Sequence, residues 1–113
     1  MALYAVLIYA PAPADPMDIT PEEMEGHERL GKFVDEVGGT IIDPQALAPS
    51  TTAKAVRKDG VADGPFLAGD AVLTGFFVLD VQDLDTALAV AKQIPARAPG
   101  GVEVRPLFTP PTE

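Results

Sequence analysis

Apolar residues in this chain fall into short uninterrupted runs and into stripes at helical spacing. Residues 3–9 (LYAVLIY) and 72–79 (VLTGFFVL) are almost entirely apolar and too short for typical helices, which predicts two buried strands. Residues 21–37 differ, because their apolar positions recur along one face of a helix and charged residues occupy the other face. That stripe consists of Leu30, Phe33, Val34 and Val37.

Local signals set the bounds of this first helix. Thr20 can act as the N-cap, Pro21 suits the first helical position, and Glu23 would complete a capping box. Gly38 and Gly39 end the pattern, since glycine readily takes the left-handed conformation that follows a helix. We therefore predict a helix over residues 21–37.

A second helix is predicted between Asp83, which can serve as its N-cap, and Pro95, which ends it. Its inward-facing residues are expected to be Leu84, Leu88, Ala91 and Ile94. The pattern predicts that this helix is shorter than the first and packs through one apolar stripe.

Three further extended segments complete the pattern. Residues 40–42 read as a short strand cut off by Pro44. Residues 51–57 are expected to form one arm of a hairpin that turns at residues 58–60. Residues 102–107 alternate and place Glu103 and Arg105 on one face of a final strand.

The order of these elements predicts an α+β fold with a ferredoxin-like βαββαβ antiparallel sheet and both helices on one face. We expect a single domain over residues 1–108 and a loose C-terminal tail over 109–113, where two prolines occur. The other face of the sheet would remain apolar and uncovered. An exposed surface of that kind predicts a homodimer.

Composition narrows the functional classes. The 113 residues include 47% hydrophobic and 22% charged residues, and the formal net charge is −9. This charge repels nucleic acid and anionic membranes, so neither is an expected partner. With no cysteine and one histidine, we expect no transition-metal site and no cofactor. No targeting or membrane-spanning segment is evident, which leads us to expect a cytoplasmic protein.

Five segments together carry a family resemblance: LYAVLIYA, TPEEMEGH, DGPF followed by GFFVLDV, DLDTALAVAKQIP, and GGVEVRPL. They resemble the YCII-like family, specifically its DGPF-domain branch, over nearly the whole chain. The resemblance implies a small dimeric α+β barrel. Many members have no known function, and some are associated with extracytoplasmic-function sigma factors.

The DGPF segment, Asp63 to Phe66, supplies one candidate site residue. Aspartate in a turn usually bonds the N–H two residues on, but here that residue is Pro65, which has none. The Asp63 carboxylate must therefore find Phe66 N–H, another side chain or water. Asp63 is either a turn residue or half of an active pair with His27, a pairing that the resemblance also implies.

His27 is the general acid–base candidate, because imidazole exchanges protons near neutral pH; the structural alternative is a partly buried histidine bonded to a carbonyl. Tyr9 and Phe66 are candidate ligand-binding residues, although packing explains Tyr9 equally well and Phe66 is expected to anchor the DGPF corner in the core. Glu23 and Asp15 are interpreted as capping or solvated groups.

Three functions remain open. The chain is a small dimeric enzyme using His27 and Asp63 on a small organic ligand, a non-catalytic ligand-binding or regulatory accessory module, or a dimerisation scaffold without ligand. A ligand-sized pocket beside these residues would favour the first function, and a filled interior the others.

Overall fold

The computed structural model describes residues 2–111. It contains six strands and two helices, joined by loops that include two short 3₁₀ turns at Pro16–Asp18 and Ser50–Thr52. In chain order the elements are β1 (Ala2–Pro11), α1 (Pro21–Glu36), β2 (Thr40–Ala46), β3 (Lys54–Arg57), β4 (Gly60–Asp63), β5 (Ala71–Val81), α2 (Leu84–Lys92) and β6 (Gly101–Pro106).

Four strands form one antiparallel sheet in the order β2-β5-β1-β6, and β3 and β4 form a separate hairpin. In the sheet, Val6 of β1 lies opposite Phe77 of β5 on one side and Val104 of β6 on the other. Without the hairpin, the chain order is βαββαβ, with β1 and β5 at the centre of the sheet. The predicted ferredoxin-like α+β class is confirmed.

The core lies between the sheet and both helices. Val34 of α1 and Val90 of α2 are buried against Val6, Leu79 and Val81 of the central strands. Since both helices contribute to one cluster, they cover the same face of the sheet, as predicted.

The start and end of α1 follow the predicted local signals. Thr20 Oγ1 accepts a hydrogen bond from Glu23 N–H at 3.1 Å, and Glu23 Oε1 accepts one from Thr20 N–H at 3.0 Å. Together these bonds form the predicted capping box. At the other end, Gly38 has a φ of 74°, a conformation that glycine adopts without strain.

Two predictions about individual elements were wrong. Strand β2 does not stop at Pro44 but continues to Ala46, because β2 is an edge strand and its register shifts between Ile42 and Gln45. An edge strand with a bulge tolerates a residue that lacks an N–H. Asp43, at φ 51°, lies within this irregularity.

The second wrong prediction concerns the buried face of α2. Ala87 and Val90 are fully buried and Ile94 nearly so, whereas Leu84 and Leu88 are 45% and 42% exposed. Ala87, rather than either leucine, lies in the core cluster with Val90 and Ile94. The prediction was therefore right for Ile94 and wrong for Leu84 and Leu88.

The predicted hairpin is present but projects from the main sheet. Val56 of β3 faces Val61 of β4 across the ladder, and both side chains are largely exposed. Ala55 is buried, and Gly64 N–H donates to the carbonyl oxygen of Ala53 at 2.8 Å, which extends the hairpin to the DGPF corner.

The face of the sheet away from the helices is uncovered within the chain. Leu3, Ile42 and Phe76 are exposed by 44%, 40% and 36%. Glu103 and Arg105 lie on one face of β6, as predicted, and the Arg105 guanidinium donates to the Glu103 carboxylate.

The predicted C-terminal tail is described only in part. Thr109 to Pro111 form neither helix nor strand, and residues 112–113 lie outside the described residues. Within residues 2–111, neither helix is long and apolar enough to cross a membrane.

Candidate functional site

A cavity of about 530 Å³ lies on the helix-covered side of the sheet, beside the N-terminal half of α1. Its floor is formed by the end of β1 and the middle of β5, and its sides by β2, by the proline-rich loop before α1 and by residues 95–97 after α2. The volume falls within the range of about 300–1,000 Å³ that is usual for small-molecule sites. Most lining side chains are apolar.

Three polar side chains share one wall of this cavity: Glu23, His27 and Arg97. Glu23 and His27 are one turn apart on α1, so they lie on the same side of the helix. Arg97 comes from the loop after α2, and its Nε lies 3.2 Å from Glu23 Oε2. The ion pair thus joins the loop to the first helix beside the imidazole.

The electrostatics of this wall depend on Glu23. The hydrogen bond from Thr20 N–H lowers the pKa of the Glu23 carboxyl, and the positive charge of Arg97 lowers it further, while partial burial opposes the shift. Glu23 is therefore ionised at neutral pH, with both oxygens engaged by Thr20 and Arg97.

Other polar groups line the cavity away from this wall. Asp15 is half-buried, and its Oδ1 accepts a hydrogen bond from Met17 N–H at 2.9 Å, which caps the short 3₁₀ turn. Gln45 of β2 and Thr74 of β5 contribute neutral polar groups from the sheet. A ligand here would meet a few polar groups set in an apolar surface, which is typical of sites that recognise small organic molecules.

Two predicted site residues, His27 and Tyr9, reach this cavity. His27 is exposed rather than partly buried, and it forms no hydrogen bond with residues 2–111. Tyr9 is half-buried and lines the cavity where the ladder between β1 and β5 shifts register. The catalytic role of His27 stays a prediction.

The structure does not bring Asp63 and His27 together within the chain. Asp63 ends β4, outside the cavity lining, and its Oδ1 lies 2.5 Å from Lys54 Nζ across the hairpin. Its spare oxygen has thus found another side chain, one of the three outcomes expected from the missing N–H of Pro65. Both partners are largely exposed.

Phe66 also lies away from the cavity, and the expectation that it anchors the corner in the core is wrong. Its side chain is 59% exposed. The ring lies 4.5 Å from the Arg57 guanidinium, which also donates a hydrogen bond to the Phe66 carbonyl oxygen at 2.9 Å. The cation–π contact and the hydrogen bond together hold the DGPF corner against the hairpin.

Residues 2–111 place no group of three histidine or acidic side chains where they could hold a metal ion together. Among the polar side chains that line the cavity, His27 offers a proton donor or acceptor, and Arg97 offers a positive charge balanced by Glu23.

Sequence reasoning missed two residues of this wall. Glu23 was interpreted as a capping group only, yet its position four residues before His27 places both on one side of a helix. Arg97 follows Pro95 in a loop, where no periodicity indicates the direction of a side chain. The first omission was avoidable from the sequence; the second required the structure.

Comparison with known proteins identifies the family of this chain. The chain is 32% identical over 117 residues to an uncharacterized protein of Rhizobium meliloti (strain 1021), and the match covers 93% of this chain and 91% of that protein. Residues 3–109 match the YCII-related domain, which includes every strand and helix described above apart from the first residue of β1. The chain therefore belongs to the YCII-related domain family.

Proposed function

We propose that the protein binds a small organic molecule in the cavity beside α1 and that His27 transfers a proton to or from it. The observation that supports this proposal is the cavity itself, which is large enough for a ligand, mostly apolar, and bordered by the chain's single histidine. General acid–base catalysis requires such a group within hydrogen-bonding reach of the ligand.

The exposure of His27 suits this role. An imidazole at the edge of a cavity can contact a bound molecule and still exchange its proton with water. Glu23 is the carboxylate on the same wall, so in this proposal it takes the place that Asp63 had in the original prediction.

The alternative is a non-catalytic module that binds or senses a small ligand, as a regulatory accessory protein would. A specific observation favours this alternative: both Glu23 oxygens are already engaged, by Thr20 N–H and Arg97. His27 is then the single acid–base group on this wall with no bonding partner among the described residues, which limits the chemistry to one proton transfer.

A thermal-shift screen against a collection of metabolites, repeated on His27→Gln and Asp63→Asn, tests the proposal. Ligands of this cavity should stabilise the parent and Asp63→Asn equally, and stabilise His27→Gln less. Incubating each hit with parent and His27→Gln protein, with product detection by mass spectrometry, separates catalysis from binding. A hit that stabilises all three proteins equally binds elsewhere and contradicts the proposal.

We also propose a homodimer formed through the uncovered sheet face. The accessible surface of the single chain is 7688 Å². A compact monomer of this mass exposes about 5,900 Å², so the chain exposes roughly 1,800 Å² more than expected. Its radius of gyration of 15.5 Å also exceeds the roughly 13.3 Å expected for this length.

This excess area is adequate for a stable interface. A standard interface buries about 800 Å² per partner, and interfaces of obligate homodimers bury more and are more apolar. The uncovered face offers apolar side chains at its centre, such as Phe76, and the Glu103–Arg105 pair at one edge. This distribution resembles an interface with an apolar centre and a polar rim.

Within the family, we assign the chain to the DGPF branch. Residues 63–66 followed by Gly75-Phe76-Phe77 support this assignment. The contacts described above give the segment a structural role, since it closes the hairpin through Gly64 and is held by Arg57.

A further inference from the structure

The charges around the cavity differ from those of a site for anions. Its lining includes two carboxylates, Asp15 and Glu23, and one guanidinium, Arg97. With His27 counted as neutral, the formal charge of the lining is −1. The whole chain carries −9, so the surrounding field has the same sign.

The single cation of the lining is also engaged. Arg97 lies 3.2 Å from the Glu23 carboxylate through its Nε, so an anionic ligand would compete with a carboxylate that is fixed by the capping box. The Glu23 side chain is 20% exposed and the Arg97 side chain 60%, so only the carboxylate end of this pair is partly shielded from solvent.

The group of the lining that still has a free hydrogen-bond acceptor is, in contrast to Arg97, a carboxylate. Asp15 is half-buried at the edge of the cavity, and its Oδ1 accepts from Met17 N–H. Its Oδ2 has no hydrogen-bond partner among residues 2–111, and a carboxylate accepts several hydrogen bonds. A ligand that brings hydrogen-bond donors or positive charge would satisfy it.

We propose that the cavity selects a compact amphipathic molecule whose polar end is an amine or a hydroxyl, and discriminates against a carboxylate or phosphate on the same apolar body. This inference rests on the proposed function, because it assumes that the cavity binds a ligand. It adds the charge class of that ligand, which Glu23 sets by neutralising Arg97 while Asp15 offers an acceptor to the polar end of the ligand.

A matched series of probes tests the charge preference: 2-phenylethylamine, 2-phenylethanol and phenylacetate, which share a ring and differ in charge. Binding is followed by the ring Cε1–Hε1 NMR signal of His27, which is unique because the chain has one histidine. At an effective dielectric constant of about 20 and a distance of about 10 Å, one unit of charge changes Kd by roughly tenfold. The amine should therefore bind at least about tenfold more tightly than the carboxylate at low ionic strength.

Two variants separate the local charge from the charge of the whole chain. Glu23→Gln keeps the capping box, since glutamine also serves at that position, and leaves Arg97 without its anionic partner. Because the change weakens binding of the amine and strengthens binding of the carboxylate, it should shift the ratio of the two Kd values by at least about tenfold toward the carboxylate. Glu22→Gln is the control, because Glu22 is an exposed neighbour outside the cavity lining and its loss changes the net charge equally. It should change the ratio by less than about twofold.

The possible failures are distinguishable. If phenylacetate binds the parent protein most tightly, or if the two variants shift the Kd ratio equally, the charge preference is wrong. The cavity would still be a binding site. If no probe moves the His27 signal at any concentration up to its solubility limit, the proposed function fails and this inference fails with it.

Discussion

Replacing Gly100 with alanine should destabilise the protein strongly, whereas the same change at Gly101 should not. An added Cβ at Gly100 would overlap the carbonyl oxygen of Tyr9 and would lie 2.8 Å from both Ala10 Cα and the carbonyl oxygen of Arg97. At Gly101 no atom lies within 4 Å of the added Cβ. The two adjacent glycines thus form a matched pair.

The size of the destabilisation follows from the atoms that surround the added Cβ. All three neighbours of the Gly100 Cβ are backbone atoms, which cannot rotate away as the end of a flexible side chain can. Overpacking costs typically 1–3 kcal/mol, so we expect at least about 2 kcal/mol here. For a chain of this length, 1 kcal/mol corresponds to a Tm change of about 4 °C, which gives a decrease of about 8 °C or more.

At Gly101 the alanine removes backbone freedom from the unfolded chain, so stability should stay level or rise by up to about 1 kcal/mol. Urea unfolding followed by circular dichroism measures both variants, at one protein concentration because a dimer's stability depends on concentration. Equal stabilities of the two variants would refute the close approach between β1 and the turn that carries Arg97. Because the added Cβ also crowds the Arg97 carbonyl oxygen and Arg97 lines the cavity, Gly100→Ala should in addition weaken binding of a ligand in the proposed site.

Three further predictions address the interface, the ion pair and the hairpin. Phe76→Asp, on the uncovered face, should dissociate the proposed dimer in sedimentation or light scattering, while Leu88→Asp, on the helix side and exposed by 42% against 36% for Phe76, should not. A monomeric parent at micromolar concentration would contradict the proposed interface. The folded-state pKa of Glu23 is lowered, so its stabilisation is present above about pH 4.5 and is lost as the pH falls through the folded value. The stability difference between parent and Glu23→Gln should therefore shrink as the pH falls below about 4.5, and a difference independent of pH would refute the ionic contribution. Asp63→Asn removes an exposed ion pair and should cost less than about 1 kcal/mol and leave His27 signals unchanged; a perturbed imidazole would show that Asp63 reaches the cavity.

The sequence predicted the fold well because its signals were local and redundant. The capping box at Thr20 and the glycine at position 38 bounded α1 to within one residue. The apolar runs predicted both central strands, β1 and β5, because an uninterrupted apolar segment indicates a buried strand whatever its neighbours in the sheet are. The failures came where tertiary context decides: the edge position of β2 lets Pro44 remain in a strand, and the core includes Ala87 of α2 rather than its leucines.

The site was less predictable because its residues come from separate elements. His27 was identified since it is the chain's single histidine, and the cavity includes it. The pairing with Asp63 depended on an elimination argument that ignored lysines, yet Lys54 lies directly opposite Asp63 in the hairpin register. When residues are paired across β3 and β4 by counting outward from the turn at residues 58–60, Lys54 falls opposite Asp63. The sequence alone could therefore have predicted this contact.

The position of the cavity follows from a difference in length between the two layers of the fold. Strand β5 has 11 residues and spans about 37 Å, whereas α2 has nine residues and is about 13.5 Å long. A helix that short cannot cover the whole strand, so one end of the sheet is enclosed by loops instead, including the proline-rich segment before α1 and residues 95–97. Substitutions in these loops leave the shared helix–sheet core unchanged, and they can therefore alter which ligand is bound without changing the fold.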